Sequence, residues 1–466
     1  MSDTQHNSSN ACDIAIIGAG AAGLMAAIFA GRSAPPGTKI VLLDGAKKIG
    51  AKILIAGGGR CNVTHDVIHS ADYFGKTSNN TVKKTLKSFS VKDTTAFFNE
   101  LGVELKREDT GKLFPTTDKA RTVLDALLGA VRDAGVELRN QSRVLKIEKV
   151  DRWGGHPARR LGEAENESTT DSGHRPDGGQ DTRPTADHAF KIYIDHSLPL
   201  HADRVILATG GKALPDTGSD GFGYNLAKHL GHTVTETWPA LVPLVLQDNN
   251  WLTDLSGITL DVELTLSGKT GKALYKQSGP MLLAHFGITG PAAMDMSRHL
   301  RDYPDHAPRK LTANLCADLT FDELDQTFLD LAKKHPTRSI SAILKRRFPE
   351  RFAEMLLDRH LGIDFDLPLA HLNKEDRKAL CHALTALPLP IVGDRGYKFA
   401  EVTAGGVPMA EVQTATMASK TCDGLYLCGE ILDVDGRIGG YNFQWAWCTG
   451  RLAGLAATQT LHPIDQ

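Results

Sequence analysis

The chain has 466 residues, so at roughly 100 to 200 residues per domain it forms two to four domains and is large enough to enclose a bound small molecule. Its 53 Lys and Arg residues nearly balance 55 Asp and Glu residues, which excludes a uniformly basic surface and leaves only local patches for binding nucleic acid. The 7 cysteines include no C-x-x-C pair, which excludes the usual disulfide and zinc patterns and predicts a cytoplasmic protein without a metal site. No uncharged apolar run reaches the roughly 18 residues of a membrane span, so we expect none.

The N-terminal region predicts a strand, a tight turn, a helix and a second strand. Residues 1–11 form a polar tail that we expect to be disordered. An apolar strand at 13–17 leads into a glycine-rich turn, and small residues at 24–30 continue as a helix. A second apolar strand at 39–43 ends at Asp44. This order of elements is the βαβ unit of dinucleotide-binding proteins.

The turn after the first strand has the G-x-G-x-x-G spacing, at Gly18, Gly20 and Gly23. The first glycine permits the tight bend, the second lets a pyrophosphate approach the backbone, and the third allows the helix to pack closely on the strand. Asp44 stands where a carboxylate binds ribose hydroxyls. A packing turn without a ligand is the alternative, but the surrounding strand-helix-strand order favours nucleotide binding.

The distribution of the other glycines distinguishes FAD from NAD. A second G-x-G-x-x-G after another strand would indicate a built-in NAD(P) domain, and the sequence contains none. The remaining glycine clusters lie around residues 57, 210, 405 and 436. Glycine clusters spread so widely along the chain are expected where distant segments fold onto one domain and together bind an extended cofactor. We therefore predict FAD.

The next part of the chain alternates regular and irregular segments. The glycine-rich residues 56–64 predict a loop that lets a ligand approach the backbone. Residues 151–188 are polar and irregular, which predicts a mobile insertion. The regular segments predicted around this insertion are a helix at 117–134 and strands at 144–150, 190–194 and 202–208.

In the second half of the chain the sequence pattern changes from strands to helices and then back to strand and loop. Residues 241–315 contain short alternating apolar runs, which predict an antiparallel β domain. Thr320 and Glu323 then form a capping-box pattern before apolar residues at helical spacing, and further helical segments follow to about residue 387. A strand before residue 429 and a helix from about 442 to 457 complete the chain.

Several motifs together resemble the BaiN/RdsA family of FAD-dependent oxidoreductases. Between about residues 12 and 457 they are the glycine turn at 18–23, KILI at 52–55, GGGRCNVT at 57–64, HFGITGP at 285–291, TAGGV at 403–407, and the segment from Gly429-Glu430 to Gly439-Gly440-Tyr441-Asn442. The resemblance implies an α/β fold in which a Rossmann-like FAD-binding domain, built from both chain ends, is interrupted by a β domain that itself carries a helical domain. The expected boundaries are 12–235 and 396–460 for the FAD-binding domain, 236–318 and 388–395 for the β domain, and 319–387 for the helical domain.

Three residues are candidates for proton transfer beside the flavin. Cys61 lies in the glycine loop and is either a proton donor or redox thiol, or a small buried hydrophobic residue. His285 is either an acid in the substrate cavity or a structural histidine. Tyr441 stands with Asn442 where a glycine-rich turn meets the final helix, and amide donors there would face the flavin pyrimidine and favour the reduced anionic form by about 0.3 to 1 kcal/mol.

The predicted cofactor contacts come from both ends of the chain. Arg60 pairs with a cofactor phosphate, a substrate anion or a structural carboxylate, and Glu430 contacts ribitol or ribose or forms a structural ion pair. The residues predicted to contact FAD are Gly18, Gly20, Ala21, Ala22, Gly23, Asp44, Lys52, Gly58, Gly59, Arg60, Cys61, Asn62, Thr209, Gly210, Gly429, Glu430, Gly440, Tyr441 and Asn442.

Two basic stretches of the chain are candidate contacts for the phosphates of an RNA substrate. Residues 76–92, around Lys83, contain 5 lysines and no acid, and residues 333–360, around Arg346, contain 8 Lys or Arg and 3 acids. Solvated helix faces are the alternative, but such clusters suffice for phosphate contacts. Family members include a reductase that makes dihydrouridine in large-subunit ribosomal RNA and others linked to bile-acid intermediates.

We therefore predict hydride transfer from reduced FAD to a uridine of large-subunit ribosomal RNA, with NAD(P)H as a transient electron donor. One alternative is an NAD(P)H-dependent reductase or amine oxidase that acts on a small metabolite. The other is a non-catalytic RNA-binding protein that contains a flavin.

Overall fold

The structure, a computed structural model, describes residues 10–150, 189–301 and 310–459. The predicted mobile insertion at 151–188 and residues 1–9 of the predicted tail lie outside this description. The tail ends earlier than expected, because Ala11 already belongs to the first strand. Asn10 donates side-chain hydrogen bonds to the carbonyl oxygens of Leu198 and Pro199, both at 3.0 Å, which ties the start of the strand to the fold.

Short strands make up most of the regular structure. In chain order they are β1 (Ala11–Ile17), β2 (Ile40–Leu43), β3 (Thr64–His65), β4 (Tyr73–Phe74), β5 (Leu105–Arg107), β6 (Lys112–Pro115), β7 (Glu137–Arg139), β8 (Val144–Lys149), β9 (Phe190–Ile194), β10 (Leu200–Leu207), β11 (Trp238–Ala240), β12 (Leu244–Leu246), β13 (Thr259–Ser267), β14 (Ala273–Ala284), β15 (Gly287–Thr289), β16 (Lys310–Asn314), β17 (Leu387–Leu389), β18 (Ile391–Asp394), β19 (Val402–Ala404), β20 (Leu425–Leu427) and β21 (Asp435–Gly436).

The helices are distributed along the whole chain. They are α1 (Ala21–Ser33), α2 (Ala51–Gly59), α3 (Asn79–Lys87), α4 (Val91–Glu100), α5 (Ala120–Asp133), α6 (Phe222–His229), α7 (Pro291–His299), α8 (Phe321–Lys334), α9 (Ile340–Leu344), α10 (Glu350–Glu354), α11 (Lys374–Thr385) and α12 (Tyr441–Gln459). A π-helical segment, Met355–Leu361, continues directly from α10.

The first sheet joins the two ends of the chain. Its strands follow the order β7-β2-β1-β10-β9-β8, and β20 pairs with β10. The pairs of β1 with β2, of β1 with β10 and of β10 with β20 are parallel, as the predicted βαβ unit requires. The apolar residues of β1 and β2 are almost wholly buried, which is expected for parallel strands covered on both faces. This is a mixed α/β fold with a Rossmann-like domain, as predicted.

The second sheet is built from the middle of the chain. It has the order β17-β16-β13-β14-β15-β12-β18, and its neighbouring strands are antiparallel. The predicted capping box is present, because Thr320 Oγ1 accepts from the Glu323 N–H at 3.3 Å and Glu323 Oε2 accepts from the Thr320 N–H at 2.8 Å. Apolar side chains of the helices from α8 to α11 and of this sheet share one core. The chain then returns through β17 to pair with β16.

Close packing between α1 and α12 attaches the last helix to the first βαβ unit. Gly450 and Gly454 lie on the face of α12 that meets α1. A Cβ atom would lie 2.3 Å from the carbonyl oxygen of Ala22 if added at Gly450, and 2.3 Å from that of Ala26 if added at Gly454. The helix backbones therefore approach to a distance that only glycine allows.

This contact predicts a large difference between two glycine substitutions. Gly454→Ala forces a methyl group against backbone atoms and should lower the free energy of unfolding by roughly 1 to 3 kcal/mol. Gly129 in α5 has no atom within 4 Å of an added Cβ, so Gly129→Ala should be neutral or stabilising by up to about 1 kcal/mol. Urea denaturation followed by circular dichroism measures both, and equal effects would show that the α1–α12 contact is looser than described.

Candidate functional site

A cavity of about 1200 Å³ lies at the carboxyl ends of the parallel strands. Ile17, Leu43 and Ala208, which end or follow β1, β2 and β10, line its floor. Ligands bind at this edge of open α/β sheets, because helix N-termini and loop amides converge there. Both chain ends contribute to the wall, through residues 17–22, many of the residues between 43 and 62, and many of those between 429 and 446.

The three glycines of the first turn have different roles in the geometry. Gly18 has a φ of +102°, and a Cβ there would lie 2.5 Å from the Ala208 carbonyl oxygen. A Cβ at Gly23 would lie 1.8 Å from the Gly18 carbonyl oxygen. Gly20, at the start of α1, has a φ of −79° and lines the cavity with no atom within 4 Å of an added Cβ. Two glycines therefore serve packing, and Gly20 leaves open space for a ligand.

Asp44 also lines the cavity, and its carboxylate holds the turn in place. Asp44 Oδ2 accepts a hydrogen bond from the Ala19 N–H at 2.6 Å, and Oδ1 accepts from the Ala46 N–H at 2.8 Å. The side chain thus links the end of β2 to the first glycine turn. The contact of Asp44 with ribose stays a prediction.

Lys52 and Glu430 form an ion pair across the cavity wall. Lys52 Nζ lies 2.7 Å from Glu430 Oε2, and Glu430 Oε1 accepts from the Thr403 N–H at 3.0 Å. Both side chains line the cavity and are partly exposed, at 26% and 19%. The structural ion pair anticipated for Glu430 is therefore present, and it joins α2 to the C-terminal segment.

The predicted glycine loop is irregular, although it is continuous with α2. Ala56 has a ψ of 142°, and Gly57 and Gly58 have φ values of 58° and 70°, so helical geometry is lost after Ile55. Gly57 and Arg60 line the cavity. Arg60 Nη1 donates to Glu108 Oε1 at 2.6 Å, and its guanidinium lies 4.0 Å from the Phe114 ring centroid. Of the partners considered for Arg60, the structure provides the carboxylate.

Three buried polar atoms on residues of the cavity wall have no hydrogen-bond partner within the described part of the chain. They are Asn62 Oδ1, Thr209 Oγ1 and Trp445 Nε1. Buried polar groups are nearly always paired in native proteins, so unpaired ones at a cavity indicate a polar ligand. Together with the open space at Gly20, they fit a dinucleotide with many donors and acceptors.

Cys61 does not reach the cavity wall. It is 0% exposed, has a φ of 60°, and is not among the lining residues. Burial raises the pKa of its thiol to about 12, because the apolar surroundings disfavour the thiolate. This environment corresponds to the small buried hydrophobic residue considered above. Gly58 and Gly59 are also absent from the lining, and all 7 cysteines are buried free thiols.

The other two proton-transfer candidates also lie off the wall. The Tyr441 ring packs against His65 and Tyr73, with centroids 5.3 and 5.9 Å away, and burial raises the pKa of its phenol to about 12. His285 is exposed in the turn between β14 and β15, where it contacts Phe286 edge to face at 5.1 Å. The structure does not bring Cys61, His285 and Tyr441 together.

Several wall residues were missed by the sequence analysis. Lys112, Lys398, Phe399, Glu401 and Arg437 line the cavity, although none of them was among the predicted cofactor contacts. The available signal was Glu401, a carboxylate two residues before the TAGGV motif at 403–407. Asn442 does line the cavity, and its side-chain amide is occupied by two hydrogen bonds to the Gly436 backbone, at 2.8 and 2.9 Å.

Within the described ranges, no cluster of three or more His, Cys, Asp or Glu side chains has the geometry of a metal site. None of the helices described combines the length and the apolar character needed to cross a bilayer.

The fold and the cavity define a dinucleotide-binding oxidoreductase with one Rossmann-like domain. The family model described as the HI0933-like protein Rossmann domain matches residues 12–157 and 178–456. The chain belongs to this HI0933-like family of FAD-dependent oxidoreductases, which confirms the resemblance found in its motifs.

Two relatives at similar identity have different names. A 3-dehydro-bile acid delta(4,6)-reductase of Clostridium scindens is 33% identical over 449 residues, covering 96% of this chain and 99% of that protein. A ribosomal RNA dihydrouridine synthase of Escherichia coli is 31% identical over 438 residues, covering 93% of this chain and 95% of that protein. Among solved structures, the 3-ketosteroid-delta4-(5alpha)-dehydrogenase of Rhodococcus jostii is 14% identical with a TM-score of 0.45, covering 98% of each chain.

The open space at Gly20 predicts a selective loss of cofactor binding. Gly20→Ala should leave the unfolding temperature of the cofactor-free protein nearly unchanged, because the methyl group meets no protein atom. It should weaken FAD binding about tenfold or more, since the methyl group occupies the space where a pyrophosphate approaches. Fluorescence titration with FAD measures the dissociation constant.

Gly393→Ala is the matched control, because Gly393 also has no atom within 4 Å of an added Cβ and does not line the cavity. Unchanged FAD affinity in Gly20→Ala would contradict the placement of the cofactor at this turn.

Proposed function

We propose that this protein is an FAD-dependent reductase of a conjugated carbon–carbon double bond and that its substrate is a uridine of large-subunit ribosomal RNA. Saturation of the uracil 5,6 double bond requires a hydride at C6 and a proton at C5. FAD supplies the hydride once it has been reduced, and we propose NAD(P)H as the transient donor that reduces it. Gly20, Asp44, Asn62, Thr209 and Trp445 would hold the cofactor.

The observation that best supports RNA as the substrate is an exposed cluster of lysines without acidic partners. Lys83, Lys84 and Lys87 on α3, with Lys76 and Lys92 on either side, are exposed. None of these five side chains has an ion pair within the described residues. An unpaired basic cluster can neutralise phosphates without first breaking internal ion pairs. We therefore assign the main RNA contact to this α3 cluster.

The second basic stretch is a weaker candidate. Lys345 pairs with Glu350, Arg347 with Asp318, and Arg359 with Asp254. These acids reduce the positive charge that the sequence count around Arg346 indicates. Arg346 is exposed and would contribute a secondary phosphate contact.

An aromatic side chain at the cavity rim supports entry of a nucleobase. Phe399 lines the cavity and is 41% exposed, which is unusual for a large apolar side chain. The Arg395 guanidinium lies 3.9 Å from the Phe399 ring centroid and 4.3 Å from that of Phe286. Proteins that bind unpaired bases stack them on such aromatic and guanidinium planes. A uridine flipped out of its stack would meet this rim before reaching the flavin.

A small conjugated metabolite is the second candidate, because the relative at 33% identity is named a bile-acid reductase. A reductase of such a metabolite would need no lysine cluster and would turn over the free metabolite.

An amine oxidase of a small metabolite is the related alternative, and it would consume oxygen. A non-catalytic flavin-containing RNA-binding protein would bind RNA in a salt-dependent way and would not be reduced by any nicotinamide.

The α3 cluster predicts a change in the salt dependence of RNA binding. Replacement of Lys83, Lys84 and Lys87 by Ala should weaken binding to single-stranded ribosomal RNA fragments and reduce the slope of log affinity against log salt by up to about 2. Filter binding or fluorescence anisotropy at several salt concentrations measures the slope.

The control for this variant removes three exposed lysines elsewhere, at Lys272, Lys374 and Lys378. If the slope of log affinity against log salt decreases by the same amount in both triple variants, the α3 cluster has no special role in RNA binding.

The proposed substrate predicts a specific loss in cells. Deletion of the gene should abolish dihydrouridine at one position of large-subunit ribosomal RNA and leave other positions unchanged. Mass spectrometry of nuclease-digested RNA detects the mass difference, and re-expression of the intact chain should restore the modification, whereas Gly20→Ala should restore it poorly. Unchanged dihydrouridine at every position would eliminate this substrate.

A further inference from the structure

Glu401 occupies a fixed position on the cavity wall. It directly precedes β19, which pairs with β11. Its backbone N–H donates to the Leu241 carbonyl oxygen at 3.1 Å, and Leu241 lines the same cavity. The backbone on both sides of Glu401 is therefore held by neighbouring strands, so the side chain extends from a rigid part of the fold.

The Glu401 carboxyl group is not engaged in the protein's own hydrogen bonding. Among the described residues its side chain has no hydrogen-bond or ion-pair partner, although it lines the cavity and is exposed there. The contrast with Glu430 is direct, because both oxygens of Glu430 are occupied by Lys52 and Thr403. A rigidly held carboxyl group that is free on a cavity wall is available to a bound substrate.

Charges from three other elements act on Glu401. Lys112 on β6 and Lys52 on α2 favour its charged form, and Asp295 on α7 opposes it. The largest effect is desolvation by the protein around the cavity, which raises the pKa of Glu401 by disfavouring the carboxylate, although the side chain itself is open to the cavity. A raised pKa keeps more of the acid form near neutral pH, which suits a proton donor.

We propose that the Glu401 carboxyl group donates the proton that completes reduction of the substrate double bond. The proposal rests on the proposed function, because it requires a reduced flavin that gives a hydride to one carbon of that bond. The Glu401 O–H bond breaks as a C–H bond forms at the neighbouring carbon, and the two electrons of the double bond make that C–H bond. The flavin is oxidised, the substrate is reduced, and the Glu401 carboxylate regains a proton from the water that reaches the cavity.

Other acids of the site are less suited to this role. Asp295 is buried, and its Oδ1 accepts from the Ile438 N–H at 2.8 Å while its Oδ2 lies 3.4 Å from Arg437 Nε. Cys61 and Tyr441 are off the wall, as described above. Asp216 also lines the cavity and is exposed, with no side-chain partner among the described residues, but it lies in the short 3-10 turn Pro215–Thr217. Glu401 differs from it because its backbone is held by neighbouring strands.

The experiment compares single turnovers of the flavin-loaded wild-type protein and Glu401→Gln. Each is reduced anaerobically with dithionite and then mixed with a uridine-containing ribosomal RNA fragment in one arm and a conjugated ketosteroid in the other. Flavin content and reduction by dithionite should be unchanged in the variant. Reoxidation of the flavin by substrate should slow by roughly 100-fold to 10,000-fold, and Glu401→Asp should restore part of the rate.

The pH profile separates proton donation from a structural role. Wild-type reoxidation should slow as pH rises through the pKa of Glu401, because only the protonated acid can donate, and this dependence should disappear in Glu401→Gln. Glu236→Gln is the matched control, since Glu236 is exposed and does not line the cavity. Full-rate reoxidation of Glu401→Gln with the wild-type pH profile would overturn the proposal.

A stability measurement gives a readout that is independent of activity. Folding raises the pKa of Glu401 above its ordinary value of 4.5, so the wild-type protein should lose stability relative to Glu401→Gln as pH rises from that value through the raised one. Urea denaturation of both proteins over this range should give a difference that grows with pH. A constant difference would show that Glu401 titrates normally and would contradict its assignment.

The two arms distinguish the proposal from the proposed function. If the ketosteroid and not RNA reoxidises the wild-type flavin, the RNA substrate is wrong. The role of Glu401 is then tested by comparing the rates at which the ketosteroid reoxidises wild-type and Glu401→Gln flavin. If neither substrate reoxidises the wild-type protein, both the proposed function and the role of Glu401 are rejected.

Discussion

The approach of the last helix to the first βαβ unit is the contact on which the site depends. Gly450 and Gly454 let α12 reach the backbone of α1 at distances that exclude a methyl group. Asn442, Phe443, Trp445 and Ala446 in the first turns of the same helix line the cavity, as do residues of the first glycine turn. The separation of the two halves of the cavity is therefore set by backbone packing between α1 and α12. Because protein interiors are close-packed, a small increase in this separation would widen the cavity.

The cavity contains two kinds of polar group, and the difference between them indicates their roles. Asp44, Lys52, Arg60 and Glu430 are engaged with other protein groups, so they shape the wall before any ligand binds. Asn62, Thr209 and Trp445 carry unpaired buried atoms, and Glu401 has a free carboxyl group, so these groups have bonding capacity left for a ligand. Unpaired buried polar atoms are costly in an isolated fold. Those on the cavity wall are consistent with a bound polar cofactor.

Local sequence patterns were sufficient for the elements that depend on neighbouring residues. The alternation of apolar residues predicted β13, the capping box predicted the start of α8, and the G-x-G-x-x-G spacing predicted the first turn. The same reasoning did not predict where the side chains of the three proton-transfer candidates point. Cys61, His285 and Tyr441 lie in or beside conspicuous motifs, but their side chains point to a buried core, an exposed turn and an aromatic cluster. A motif fixes the backbone near a site, whereas the direction of each side chain depends on how the whole loop folds.

The sequence by itself determined the Rossmann-like unit, because it follows from glycine spacing and the short-range order of strand, turn and helix. The family and the choice of FAD followed from motifs and glycine clusters spread along the chain. Tertiary structure alone decided which polar groups remain free at the cavity. Glu401 and Lys112 are far apart in the chain, and Glu430 is 378 residues from the lysine that neutralises it. Whether a carboxyl group is paired or available depends on distances across the folded molecule, and those distances are not encoded in any local pattern.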